Sequence, residues 1–301
     1  MSSTMLELVQ QAAREIGTIS VPTIVAANTA ADAVQLLGLL NAVGYELTRK
    51  YEWQQLNIAY RFTTAYTTTT GTRTADSAVV TSIPSTTGLS TSYMVTGTGI
   101  PTDTYISSVD SATQVTLSQA ATTASTAGAI NFSKTIYAFP SDYDRSIDET
   151  NWDKTKKWKM LGPVTPQQWE WLKSGYISTG PRIHFRKMGG NLQIWPPLTT
   201  AEYLGFEYVS TYWALTTAGV TKGSFTVDTD TCIFPDRLMV LGLKLKYFEV
   251  KNFDTTALYR DYLEQLDIAK ANDGGSPTLA FAPRMTPLLI SPNQIPDSGF
   301  G

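Results

Sequence analysis

Apolar residues recur at three- and four-residue steps at the start of the chain. Met5, Leu8, Val9, Ala12 and Ile16 therefore share one face of a helix predicted over residues 4–16. Thr4 and Glu7 stand at capping-box spacing, where each side chain can satisfy a backbone N–H of the other, and Gly17 is a natural stop. A second helical pattern starts near Asn28 or Thr29 and runs to about Trp53, with Leu36, Leu37, Leu40, Leu47 and Tyr51 as its stripe. Gly38 and Gly44 weaken it by about 1 kcal/mol each. They are either simply tolerated or let another backbone approach closely. Near the other end, Leu238, Leu241, Leu245 and Phe248 mark a helix from Asp236 to Asn252. Leu258, Tyr262 and Leu266 mark another, from Asp254 or Thr255 to about Asn272. The short connection between these two predicts an antiparallel pair.

The pattern changes after Phe62. Between Thr63 and Ser133 the charged residues are Arg73, Asp76, Asp103 and Asp110, and Thr, Ser, Ala and Gly dominate. Short β-rich pieces at Ala78–Ile83, Ser92–Val95, Tyr105–Val109, Gln114–Ser118 and Ala129–Phe132 are punctuated by Gly and Pro. That spacing predicts a small sandwich or barrel. A disordered Thr/Ser linker is the alternative, and the recurring Val, Ile, Leu and Tyr positions argue against it.

Charge and aromatics return after Lys134. Thr165 followed by Pro166 reads as a helix start, running through Leu172 and ended by Gly175. Strands are predicted at Arg182–Lys187, Asn191–Trp195, Tyr203–Trp213 and Ser224–Phe234, with Gly189-Gly190 as a tight hairpin turn. Along the third, Leu204, Phe206 and Tyr208 alternate with Gly205, Glu207 and Val209, as a half-covered sheet requires. The final stretch 274–301 carries Pro277, Pro283, Pro287, Pro292 and Pro296 among Leu279, Phe281, Leu288, Leu289, Ile290 and Phe300. Proline blocks a helix there, and the apolar residues predict an arm that is buried on a partner. Fully extended, it would reach roughly 90 Å. A frayed terminus is the other reading.

Composition narrows the chemistry. The 301 residues hold one Cys and one His, so neither an internal disulfide nor a Cys/His zinc site can form. The net charge of −3 argues against a partner held mainly through phosphates. No apolar run is long enough to span a membrane, and MSSTMLELVQQAAREIG lacks a basic secretory n-region. No nucleophile elbow, phosphate loop or H-E-x-x-H pair is present. His184 in RIHFRK reads as a structural or interface residue, and Cys232 as a small buried one. Asp142, Asp144, Asp148, Glu149 and Asp153 cluster, and two acids could serve a glycosidase. Arg145, Lys154, Lys156 and Lys157 are close enough to be plain ion partners for them. The run Lys154, Lys156, Lys157, Lys159 interleaves with Trp152 and Trp158, which fits nucleic-acid stacking or a protein interface. With 7 Trp and 15 Tyr in the chain, Trp152, Trp158, Trp169 and Trp171 are candidate interface anchors.

The stretches FPSDYDRSIDETNWDKTKKWKMLGPVTPQQWEWLKSG, GPRIHFRKMGGNLQIWPP and FEYVSTYWA, followed by IFPDRLMVLGLKLKYFEVKNFDTTALYRDYLEQLDIAKA, resemble the head-to-tail adaptor proteins of short-tailed bacteriophages. LELVQQAAREIGTI and DAVQLLGLLNAVGYELTRKYEWQQL fit the opening of that pattern. The resemblance covers most of residues 5–62 and 136–272. MVTGTGIPTDTYISSV and QVTLSQAATTAS look like small β modules inserted in phage structural proteins. The resemblance implies a virion protein without catalytic residues, cofactor or metal. It implies a ring, commonly of twelve copies, in the neck between the portal vertex and the tail. Its partners would be sister subunits, the portal protein, the tail nozzle and the fibres, with double-stranded DNA passing through the lumen without sequence-specific contacts. Such proteins are made in the host cytoplasm.

The expected fold is α+β. It has a helical-bundle core (residues 1–62 and the closing pair of 134–272) with an antiparallel β region, an inserted sandwich-like domain at 63–133, and an extended arm at 273–301. The rival readings are a tail-associated cell-wall or polysaccharide hydrolase using two of the acids, and a glycan-binding module in the insert.

Overall fold

The computed structural model describes residues 3–17, 19–174 and 182–274. The expected arm, with Leu279, Phe281, Leu288, Leu289, Ile290 and Phe300, and the expected stop at Gly175 lie outside the described residues. The helices are α1 (Met5–Ile16), α2 (Ala31–Lys50), α3 (Pro166–Lys173), α4 (Asp236–Lys251) and α5 (Thr256–Gly274). The strands that carry the sheets are β1 (Asn57–Thr63), β2 (Tyr66–Arg73), β3 (Val79–Thr81), β4 (Tyr93–Thr96), β5 (Thr104–Ser111), β6 (Gln114–Leu117) and β7 (Ser125–Lys134). They continue with β8 (Ile136–Ala138), β9 (Tyr143–Ser146), β10 (Trp152–Asp153), β11 (Trp158–Lys159), β12 (His184–Met188), β13 (Asn191–Trp195) and β14 (Tyr203–Ser210). The chain forms two compact units, one from residues 1–55 and 225–301 and the other from residues 56–224.

The first unit is built on α4. Leu238, Met239, Val240, Leu241, Gly242 and Leu243 are buried in succession, so the first half of this helix is enclosed on all sides rather than along one stripe. α1, α2 and α5 pack around it. α1 starts with the capping box the sequence predicts: the Thr4 N–H donates to Glu7 Oε2 at 2.8 Å, and the Glu7 N–H donates to Thr4 Oγ1 at 3.3 Å. Glu15 of α1 accepts from Arg237 at 2.7 Å and from Lys244 at 2.8 Å, tying α1 to α4. Thr4→Ala is expected to cost about 1 kcal/mol, read as a lower urea midpoint at unchanged slope.

Between α2 and α4 the backbones come close at Gly242. A Cβ there would sit 2.6 Å from Val43 Cγ1. The close approach between the two helices is thus made by a glycine of α4, while Gly38 of α2 faces open space, as simple tolerance requires. The stretch expected as a strand over Ser224–Phe234 is instead a loop for most of its length. Asp230 Oδ2 accepts from the Thr226 and Val227 N–H groups, and Asp228 Oδ1 accepts from the Val25 and Ala26 N–H groups. These side-chain acceptors replace a strand partner.

In the second unit, β2-β3-β6-β5-β4-β7 close into a barrel. Its interior is filled by Val80, Ile83, Tyr93, Val95, Ile106, Val115, Leu117, Ile130 and Phe132. Of the sandwich or barrel that the spacing predicts, the barrel forms, and the sandwich-like description of this domain is corrected. Gly71 contributes to the closure. It pairs with Gly128 where the β2–β7 register shifts, and a Cβ at position 71 would lie 2.8 Å from both Ile130 Cδ1 and Val80 Cγ1. Without a side chain, β2 can bend over its own core.

The rest of the unit has a five-stranded sheet, with β14 flanked by β1, β9 and β10 and with β11 beyond β10, and a three-stranded sheet ordered β12-β13-β8. The two sheets share an aromatic-rich core of Tyr137, Phe185, Leu192, Ile194, Leu204, Phe206 and Tyr208, with Tyr60, Phe62, Phe139 and Tyr143 against it. Phe139 stacks on Tyr143 at 4.0 Å between centroids. α3 closes a smaller cluster of Met94, Trp169, Leu172 and Trp195. The fold is mixed α+β, and the expected helical-bundle core is corrected. The helices other than α3 come from two distant stretches and make a unit of their own, and the β unit has separate cores.

Candidate functional site

The β10–β11 hairpin gathers most of the residues singled out in the sequence. Asp153 Oδ1 accepts from the N–H groups of Thr155 at 2.9 Å and Lys156 at 3.0 Å, which fixes the tight turn between the two strands. Trp152 pairs with Lys159 and with Gly205, and Gly205 pairs with Arg61. Arg61, Trp152 and Lys159 therefore stand on one outward face. Trp152 and Tyr203 are exposed there at 39% and 42%, and Trp158, paired with Asp153 on the other face of the hairpin, is exposed at 39%. Trp171 is 57% exposed on α3, whereas Trp169 is buried in the chain's own core. Periodicity over so short a helix did not separate the two.

The basic run is divided by ion pairing. Lys159 lies 3.3 Å from Glu149, and Lys156 lies 2.5 Å from Glu202. Glu202 is a residue the sequence reading did not single out. It is 2% exposed and Asp153 is 3% exposed. Asp153 Oδ2 and Glu202 Oε2 are buried without another hydrogen-bond partner. Burial, then the hydrogen bond to Asp153 and its charge, hold the Glu202 carboxyl above its ordinary 4.5, against the pull of Lys156. This buried carboxyl pair joins the hairpin to the approach of β14.

The other acids each have a local role. Asp142 is buried and accepts from Tyr208 Oη at 2.9 Å and Ser210 Oγ at 2.6 Å. Burial and the adjacent carboxylate push the Tyr208 phenol up. Asp144 pairs with Arg145 at 3.0 Å, and Asp148 lies 3.9 Å from Lys187. None of the five acids lines a groove of about 360 Å³ beside α3. There Trp171 and Gln168 face His184 and the Leu161–Val164 segment. Burial holds His184 below its ordinary 6.5, with the Arg182 carbonyl acting the other way, so the ring is neutral at pH 7. Burial pushes the Cys232 thiol up to about 12, which keeps it from reacting as a thiolate. Among the described residues no group of three or more His, Cys, Asp or Glu is placed to hold a metal ion, and no helix is long and apolar enough to cross a membrane.

No protein-family model matches the chain, and no curated protein matches it.

Proposed function

We propose that the chain is a structural virion subunit, a head-to-tail adaptor of a short-tailed bacteriophage. In this reading it assembles as a ring on the portal, extends the DNA channel and offers a platform to the tail nozzle and fibres. The sequence resemblance over residues 5–62 and 136–272 supports it. The observation that carries it is α5, which buries Tyr262, Leu266 and Ala269 but leaves Tyr259, Leu263 and Ile268 exposed at 50%, 39% and 45%. Val250 and Phe253, just before it, are also exposed. Tyr259 and Leu263 lie on one flank of the helix and Ile268 on the other, as residues four and nine apart must. A helix that has no further surface to cover has no use for apolar residues on its flanks, whereas a subunit packed side by side in a ring does. The exposed Trp152, Trp158 and Trp171 add anchors of the kind that dominate interfaces.

The test is to mix the purified protein with a portal ring and measure the mass of the product. Stoichiometric capture is expected. Tyr259→Asp with Leu263→Asp is expected to abolish it while the far-ultraviolet spectrum stays that of the parent. Capture that survives both changes would count against α5 as the contact, and no capture by the parent protein would overturn the adaptor reading.

A further inference from the structure

The second unit contains a cavity of about 240 Å³ on the side of α3 that bears Glu170 and Lys173. Arg186 and Gln193, directly paired across β12 and β13, both line it. Their strand neighbours Phe185, Leu192 and Ile194 point to the core instead. Lys173 is already engaged: its Nζ lies 2.9 Å from Asp103 and above the Tyr105 ring, 5.6 Å from the centroid. Lys187, next to Arg186 on β12, is turned toward Ser146 and Asp148. Arg186 is half-buried, and its side chain makes no hydrogen bond or ion pair with any described residue. A guanidinium carries five donors in a planar fork suited to two oxygens of one anion. With no acceptor among the described residues, the Arg186 fork faces solvent on the cavity side and is free to take up an anion that enters there.

We propose that this cavity binds a small anionic ligand whose carboxylate or phosphate is held by the Arg186 fork. Gln193 offers an amide beside the fork, and the Tyr105 ring and the exposed Met188 supply apolar wall. The volume is below the roughly 300–1,000 Å³ typical of pockets for drug-sized molecules, so the ligand is a single ring or a short acid. Glu170 is the one carboxylate on the cavity wall. It is exposed and sets a like charge against the ligand, which makes it a discriminating handle. The proposal does not depend on the assembly reading.

Calorimetric titration of the full chain at low salt tests it with three probes: glucuronate, inorganic phosphate and glucose. Saturable binding of at least one anion is expected, with glucose weaker by about tenfold or more. Binding of phosphate would mean that the bare anion suffices, and binding of glucuronate alone would point to a sugar acid. Arg186→Gln is expected to weaken the bound anion by about tenfold or more, and Glu170→Gln to tighten it by about threefold through loss of the like charge. The proposal is overturned if neither anion binds, if glucose binds equally well, or if Arg186→Gln binds as the parent does. Should Arg186→Gln fail to fold, an unchanged affinity in Glu170→Gln overturns it on its own.

Discussion

Gly242→Leu is expected to destabilise the helical unit by about 3 kcal/mol or more, the upper end of what overpacking costs. The position has no room. An ideal Cβ at 242 lies 2.6 Å from Val43 Cγ1, 3.3 Å from Val43 Cγ2 and 3.4 Å from Tyr262 Cε2. Val43 is itself buried in the middle of α2, and a β-branched side chain in a helix has one strongly preferred rotamer. Its methyls cannot swing aside, so the helices must separate. Gly242→Ala meets the same Val43 methyl but gains about 1 kcal/mol of helix propensity, so its net loss should be nearer 1 kcal/mol. Val43→Ala is the rescue, because the methyl added on α4 occupies space that the shortened residue on α2 vacates. The double variant should be more stable than the sum of the single losses predicts, by roughly 1 kcal/mol. Urea unfolding followed by Trp53 fluorescence reads this directly, since Trp53 is buried in the same unit. Strict additivity would show that the contact is not what sets the α2–α4 distance.

The helices were legible because their signals are local. Thr4 with Glu7, Thr165 with Pro166, and the leucine steps of α4 each operate within one or two turns. The Gly189-Gly190 turn between β12 and β13 was legible for the same reason. Pairing across long stretches was not. β2, read as part of a Thr-rich tract, is one of the barrel's longest strands and runs the length of β7. Threonine suits a strand, but a run of it lacks the apolar alternation that marks an inward face. The barrel closes because β4 and β2 both reach β7, a fact of topology that no short window contains. Over Ser224–Phe234 the strand-forming residues Phe225, Val227, Ile233 and Phe234 flank a polar middle. There Asp228 and Asp230 turn their carboxylates on backbone N–H groups and tie a loop. At the hairpin, Trp152, Asp153 and Lys156 could be picked out, but their partner could not. Glu202 reaches Asp153 only because β10 pairs with β14, with Asp153 opposite Leu204.

That partnership carries the other large effect. Lys156→Ala is expected to destabilise the β unit by about 2 kcal/mol at pH 8, the usual worth of a hydrogen bond to a charged group, and by progressively less toward pH 4.5. Lys156 supplies the positive charge to the Glu202 carboxyl, and without it burial and Asp153 act on Glu202 unopposed. The sign follows from proton linkage. A carboxyl held above its ordinary 4.5 binds more protons folded than unfolded over the interval between 4.5 and its folded value. The stability tied to that proton is complete below 4.5 and is lost as pH rises through the folded value. Removing Lys156 raises that folded value further, so the variant should show a steeper alkaline decline extending to higher pH. Glu202→Gln supplies a permanent donor toward Asp153 Oδ2 in place of the titrating proton and keeps an acceptor for Lys156. It should therefore flatten the decline and leave the protein as stable at pH 8 as at pH 5 so far as this pair is concerned. The double variant Lys156→Ala, Glu202→Gln should recover most of the loss, because the buried negative charge that made Lys156 necessary is gone. Urea midpoints measured from pH 4.5 to 8.5 decide the matter. If Glu202→Gln keeps the parent's slope, the proton held between the two carboxyls is not what couples this hairpin to pH.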